Sequence, residues 1–195
     1  MNATPISIFT IGHSTRPLDA FLELLAECRI ECVVDVRRLP GSRRYPQYNA
    51  DALESSLASQ DIDYWHLEAL CGRRSKAELD GAKPATFWRN ASFGRYAAYA
   101  RSPAFAKGIE ALLYRALEQR CALMCSEAVW WRCHRRIIAD HLLARGALVF
   151  HIMGQGNVEA AELTRGAILD KGSVVYPAPP SDHLIEDKDR SGEKA

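Results

Sequence analysis

The sequence predicts an α/β fold, a single three-layer domain whose mostly parallel sheet of about five strands is flanked by helices. Short β-rich apolar runs alternate with helical segments, and a helix between two strands makes the crossover that parallel pairing requires. A chain of 195 residues with 48% hydrophobic content buries one sizeable core and falls short of two comfortable domains. One domain over residues 1–176 is therefore expected, followed from PAPP onward by a flexible tail, 177–195.

The elements follow in order. ISIFTIG (6–12) is a first strand. TRPLDAFLELLAEC (15–28) sets residues 18, 21, 22 and 25 on one helical face, with Thr15 as cap and Pro17 in the first turn. IECVVDVR (30–37) is a second, buried strand, and ADALESSLASQ (50–60) is a helix with Asn49 as N-cap. IDYWHL (62–67) is a third strand, and 71–94 has the glycine, proline and charge content of an irregular excursion. Helix over 95–119 is interrupted near Ser102-Pro103, because proline biases its predecessor away from helix. CALMC (121–125) is a fourth strand, WRCHRRIIADHLLAR (131–145) a helix, ALVFHIM (147–153) a fifth strand, and NVEAAELTRGAIL (157–169) a last short helix.

Apolar runs are broken by charge well before the roughly 20 residues of a membrane span, and no basic region precedes an apolar one at the N-terminus. The chain reads as soluble, cytoplasmic and without a membrane partner. Its six cysteines, mostly within or beside predicted elements, are expected to be reduced thiols. The net charge of +1 hides an asymmetry: residues 181–195 hold five acids against three bases, whereas VRRLPGSRRYPQY (36–48) holds Arg37, Arg38, Arg43 and Arg44 and no acid. Such a cluster either contacts phosphate or forms a solvated basic loop. The modest total charge argues against tight nonspecific binding to duplex DNA.

In parallel sheets ligands bind beyond the carboxyl ends of the strands. Four of the five predicted strands deliver polar groups there: Gly12, His13, Ser14 and Thr15; Asp35, Arg37 and Arg38; Cys125, Ser126 and Glu127; and His151. Structural roles compete with functional ones. His13 also fits a helix cap, Asp35 a pairing with Arg37 or a backbone donor, and His151 core or edge trim. Cys28, Cys32, Cys71 and Cys121 fit small buried hydrophobes.

The richest stretch is LMCSEAVWWRCHRRIIADHL (123–142). Cys125 ends a strand in a turn that enters a helix, where amides and the helix dipole favour a thiolate. Cysteine phosphatases and rhodaneses use that logic, but the six residues between Cys125 and Arg132 exceed their spacing and include no glycine. Cys125-Ser-Glu127 also matches the first half of a zinc deaminase motif, and Cys133-His134 fails the second. Zinc on Cys125, Cys133, His134 and His13 meets an obstacle, since neighbours on a helix point about 100° apart. The expectation is therefore no metal and no cofactor, with zinc as the exception to test. His134 serves as general acid or base or as a core histidine, and Trp130 and Trp131 stack on a base or, more often, plug a core.

Gly12-His13-Ser14, Asp35-Val36-Arg37 with Pro40 and Ser42, and Cys125-x-Glu127 followed by Cys133-His134-Arg135 together resemble, over about residues 6–153, the family called domain of unknown function 488. The resemblance implies a compact α/β domain with a polar site at His13, Asp35, Arg37, Cys125, Glu127, Cys133, His134 and Arg135, and supplies no reaction. Val129-Trp130-Trp131 departs from the more polar stretch expected there.

The function expected is an enzyme acting on a phosphate-bearing substrate, a nucleotide or nucleic acid. Cys125, Glu127, His134, His13 and Asp35 are its candidate catalytic residues, and Arg37, Ser42, Arg43, Ser14, Arg135 and Cys133 its candidate substrate-binding residues. A non-enzymatic anion- or nucleic-acid-binding module and a metal-dependent site are the alternatives.

Overall fold

The computed structural model describes residues 5–178 apart from 80 and 171, so the expected tail lies almost wholly outside the described residues. Six strands form the main sheet: β1 (Ser7–Gly12), β2 (Cys32–Asp35), β3 (Asp63–His66), β4 (Cys121–Cys125), β5 (Leu148–Gly154) and β6 (Asn157–Ala160). They lie in the order β3-β2-β4-β1-β5-β6, parallel throughout except for the antiparallel edge strand β6. Five α-helices among the described residues flank it: α1 (Leu18–Glu27), α2 (Ala50–Ala58), α3 (Ala91–Tyr99), α4 (Pro103–Arg115) and α5 (Arg135–Leu143).

Strand alternation divides the interior into two cores, one on each face of the sheet. Phe9, Ile11, Val33, Ala122 and Met124 pack with Phe21, Leu24 and Leu25 of α1 and Leu53 and Leu57 of α2. Ile8, Val34, Cys121, Leu123 and Val149 pack with Phe105, Ile109 and Leu112 of α4 and Ile137, Ile138 and Leu142 of α5. Each of these larger side chains contributes about 1.5–3 kcal/mol by leaving water. The expected α/β class thus holds, with helices on both faces.

Connectivity positions the site. From β1 the chain crosses by α1 on one face to β2, and from β4 it crosses by α5 on the opposite face to β5. Because β1 and β4 are neighbours, their two exits diverge and open a crevice at the carboxyl ends.

Four local expectations are corrected. Residues 157–169 are not a helix: β5 turns at Gln155-Gly156 into β6, which leaves Val158 exposed at the sheet edge. A separate hairpin, β7 (Ile168–Asp170) with β8 (Ser173–Val175), follows. Asp140 of α5 fastens this region by accepting from the Thr164 amide at 2.8 Å and the Tyr176 hydroxyl at 2.7 Å. The helix read at 131–145 begins at Arg135; Trp130–Arg132 is a 3-10 turn, and Cys133 is extended (φ −128°, ψ 148°). Thr15 caps nothing, since α1 starts after Pro17. Asn49 does precede α2, yet its Oδ1 accepts from the Ser42 amide at 2.6 Å and so braces the arginine-rich loop instead. The expected break at Ser102-Pro103 is present, and the Ser102 hydroxyl caps α4 by accepting from the Phe105 amide. No helix among the described residues is long and apolar enough to cross a membrane.

His141 sits inside the second core, its ring 4.9 Å from that of Phe105, and neither ring nitrogen has a hydrogen-bond partner among the described residues. Burial, and then Arg145, push it down to about 4. The unfolded chain therefore takes up a proton that the fold refuses as pH falls from about 6.5 toward about 4, and stability drops through that window by on the order of 3 kcal/mol. His141→Leu is expected to remove that share of the slope of unfolding free energy against pH. An unchanged slope contradicts the assignment.

Candidate functional site

The crevice is lined with polar groups from β1, β2, β4 and the turn before α5. Hydrogen bonds continue the ladder beyond the strands: His13 N donates to Cys125 O (2.9 Å), Ser14 N to Ser126 O (3.1 Å) and Val36 N to Met124 O (3.0 Å). These bonds seat the three loops side by side. Glycine at position 12 lets them meet, because a Cβ there would lie 1.9 Å from the Glu127 carbonyl oxygen. Ser14 (φ 50°) and Arg73 (φ 54°), both on the crevice wall, hold left-handed backbone.

Asp35 is fully buried and wholly committed. Its Oδ1 accepts from the Arg37 amide and Nε, and its Oδ2 accepts from Arg37 Nη2 at 2.6 Å and from the Tyr64 hydroxyl at 2.7 Å. Burial, reinforced by the Asp35 carboxylate, pushes the Tyr64 hydroxyl up and keeps it a donor. Asp35 thus holds Arg37 in place and does not itself line the crevice. The Arg37 carbonyl is held in turn by the Cys71 thiol (3.1 Å) and His66 Nε2 (2.9 Å).

His13 stacks on Tyr48 at 4.1 Å. Burial, and then Arg37, push it down to about 4, so its ring is neutral at pH 7. Nδ1 donates to Ser14 O at 3.0 Å and Nε2 accepts from Arg37 Nη1 at 3.3 Å. His13 therefore does not cap α1 and does not join the cysteines.

At the floor, Cys125, Cys133 and His134 converge. Their sulfur and nitrogen atoms all lie within 4.8 Å of one another, with His134 Nδ1 3.5 Å from Cys133 Sγ and 4.0 Å from Cys125 Sγ. His134 Nε2 lies 3.1 Å from the Val36 carbonyl, which can only accept; in the neutral ring the proton sits there and Nδ1 turns a lone pair toward the sulfurs. Arg135, 1% exposed, reaches Cys133 Sγ with Nε (3.4 Å), Thr10 Oγ1 with Nη1 and the Glu127 carbonyl with Nη2 (2.6 Å). The thiolate expected at Cys125 is not favoured there. Cys133 first and burial second push the Cys125 thiol up to about 12. Burial alone would also raise Cys133, yet the Cys125 thiol and the Arg135 guanidinium bring it down to about 6. Cys125 precedes a 3-10 turn rather than a helix, so it lacks the helix-end field expected for it.

The cavity over this floor measures about 560 Å³, within the range of small-molecule sites. Arg37, Arg38, Arg73, Arg132 and Glu127 face it, Arg38 being paired with Glu78 at 3.2 Å, and Tyr45 and Phe93 supply aromatic surface. Ser14 and Ser42 are on its wall as expected, whereas Arg43 is exposed and does not line it. Arg135 and Asp35 act from behind it. His151 is core trim, bonded to Thr10 at 2.8 Å and stacked on Trp130 at 4.4 Å, which also places that tryptophan away from any ligand.

Sequence reasoning missed the far wall. Gly72 and Arg73 come from the irregular excursion, which Arg74 anchors by donating to Cys71 O (2.9 Å) and Glu68 O (2.6 Å), whereas Asn90 caps α3 and Ser92 and Phe93 lie in its first turn, the helix beginning at Ala91 inside the span expected to be irregular. The Arg73-Arg74 pair was the available signal, of the same kind as Arg37-Arg38.

A family model described as Domain of unknown function DUF488 matches residues 17–142, a span that begins after His13 and includes Asp35, Arg37, Cys125, Cys133 and His134. No match is found among curated proteins or among solved structures. With most of its length covered by that model and the motifs meeting at one crevice, the chain belongs to the DUF488 family.

Proposed function

We propose that the protein is an enzyme acting on a small phosphate-bearing substrate of nucleotide size. The observation that carries this reading is the cavity itself: four guanidinium groups, of which Arg37 is paired with Asp35 and Arg38 with Glu78, stand with Glu127 over a floor of two thiols and an imidazole. Arginine matches phosphate through paired N–H donors, and Arg73 and Arg132 have no carboxylate partner among the described residues, so both are available to an anion. Tyr45 and Phe93, both half-buried on the wall, offer aromatic surface to a base or sugar. Cys125, Cys133 and His134 supply the reactive groups, and Glu127, exposed beside them, accepts or returns a proton. A cytoplasmic setting, which keeps thiols reduced, belongs to the same proposal.

A binding module needs only the arginines, and the same cavity supports that second reading. Affinity is tested by titrating the full chain with a nucleoside 5′-monophosphate and with its nucleoside. The monophosphate is expected to bind at least about tenfold more tightly, the worth of one charge-assisted contact, with a gap that narrows as salt is added. Combining Arg73→Gln with Arg132→Gln should narrow it in the same way. Equal affinities for the two ligands would overturn the phosphate assignment.

A further inference from the structure

The floor cluster has the composition and spacing of a metal centre. Bonds of about 2.3 Å to sulfur and about 2.0–2.1 Å to nitrogen at tetrahedral angles put ligand nitrogen and sulfur about 3.6 Å apart. The observed separations are 3.5 and 4.0 Å. The objection that adjacent residues diverge on a helix does not apply, since Cys133 is extended and His134 sits at the N-cap of α5.

Three features outside the ligand atoms point the same way. The Nε2 bond to the Val36 carbonyl is the outer partner that orients a ligating imidazole and leaves Nδ1 for the ion. Arg135 is buried, bonds no carboxylate among the described residues and places Nε 3.4 Å from Cys133 Sγ, a donor beside the sulfur of the kind that supports a ligating thiolate. All three residues also border the cavity, which leaves one coordination position facing the ligand.

We propose that Cys125, Cys133 and His134 bind one Zn²⁺ ion whose fourth position opens into the cavity. Thiolate and imidazole favour zinc over magnesium, calcium or manganese. Two thiolates neutralise the ion and Arg135 leaves the floor with one positive charge, which suits a water-derived hydroxide or a phosphoryl oxygen in the fourth place. His13 is not that fourth ligand, because its Nε2 faces Arg37. The inference deepens the reading above and rests on it only for what fills the open position.

The test uses the full chain, stripped by chelation and titrated with Co²⁺ under reducing conditions. One equivalent is expected to produce thiolate-to-cobalt absorption and a tetrahedral visible band, and one equivalent of Zn²⁺ to abolish both. Cys125→Ser and Cys133→Ser should each weaken binding by more than the about 10–100-fold that loss of an outer partner costs, while Cys28→Ser leaves the stoichiometry unchanged. Should a ligand variant fail to fold, metal protection of Cys125 and Cys133 from alkylation in the wild-type chain, read by peptide mass spectrometry, decides. Folded wild-type protein with no thiolate-to-cobalt band, or a band indifferent to both serine variants, overturns the inference. Nucleotide affinity measured on the same protein separates the two readings: where no cobalt band appears but nucleotide still binds, only the zinc is overturned, and affinity absent with and without zinc sinks the anion pocket.

Discussion

Asp35→Asn is expected to lower stability by about 3–5 kcal/mol, the cost of leaving one member of a buried ion pair without its partner. Asparagine has nearly the same shape, so the loss isolates charge. In the native protein Arg37 gives Asp35 its amide, Nε and Nη2, and burial leaves it only 6% exposed. With asparagine in place, a buried guanidinium remains at the base of the cavity with only neutral acceptors, the asparagine oxygen and His13 Nε2, beside it. Two consequences follow, a fall in the urea midpoint and a weaker grip on phosphate as Arg37 reorients. Asp35→Asn combined with Arg37→Leu should recover part of the stability, because no charge is then stranded, and none of the phosphate affinity. A single variant costing under about 1 kcal/mol would show that the pair is not buried in the way described.

Gly12→Ala is the second large effect. The added methyl would stand 1.9 Å from the Glu127 oxygen and 2.7 Å from its carbonyl carbon, and both are main-chain atoms with no rotamer to change. Arg135 Nη2 also pins that carbonyl at 2.6 Å. Relief requires the loop after β4 to move away from β1, at a cost of about 3 kcal/mol or more, at or beyond the upper end for overpacking. The shift carries Ser126 and Glu127 with it, so ligand affinity should fall beyond what stability loss alone accounts for. Gly12→Ala protein with wild-type midpoint and affinity would mean that the two loops do not meet this closely.

Much of this was legible in the sequence, for physical reasons. Buried parallel strands are continuous apolar runs, so ISIFTIG, CVVD and CALMC stood out, and the carboxyl-edge rule then placed His13, Asp35, Arg37 and Cys125 together. The edge strand β6 was misread because its run VEAAEL has the composition of a helix, and pairing with β5 across Gln155-Gly156 overrode that preference. The apolar period of α5 extends backward through Cys133 and His134, so the sequence predicts helix there. The 3-10 turn at Trp130–Arg132 that swings them toward Cys125 has no sequence period of its own. Arg43 and Arg73 show the same limit: both lie in basic loops, and only the path of the chain decides which one faces the cavity.

On the proposed function, the floor of the cavity performs chemistry on a phosphate-bearing ligand held by the arginines. The most direct test is phosphorus NMR of nucleoside and sugar phosphates incubated with the zinc-loaded wild-type chain and, in parallel, with Cys125→Ser. The prediction is a new phosphorus resonance that grows with wild-type protein and is absent with Cys125→Ser, although the variant still binds the same compound. A compound that binds the wild type yet is never altered, or that both proteins convert at equal rates, would contradict it.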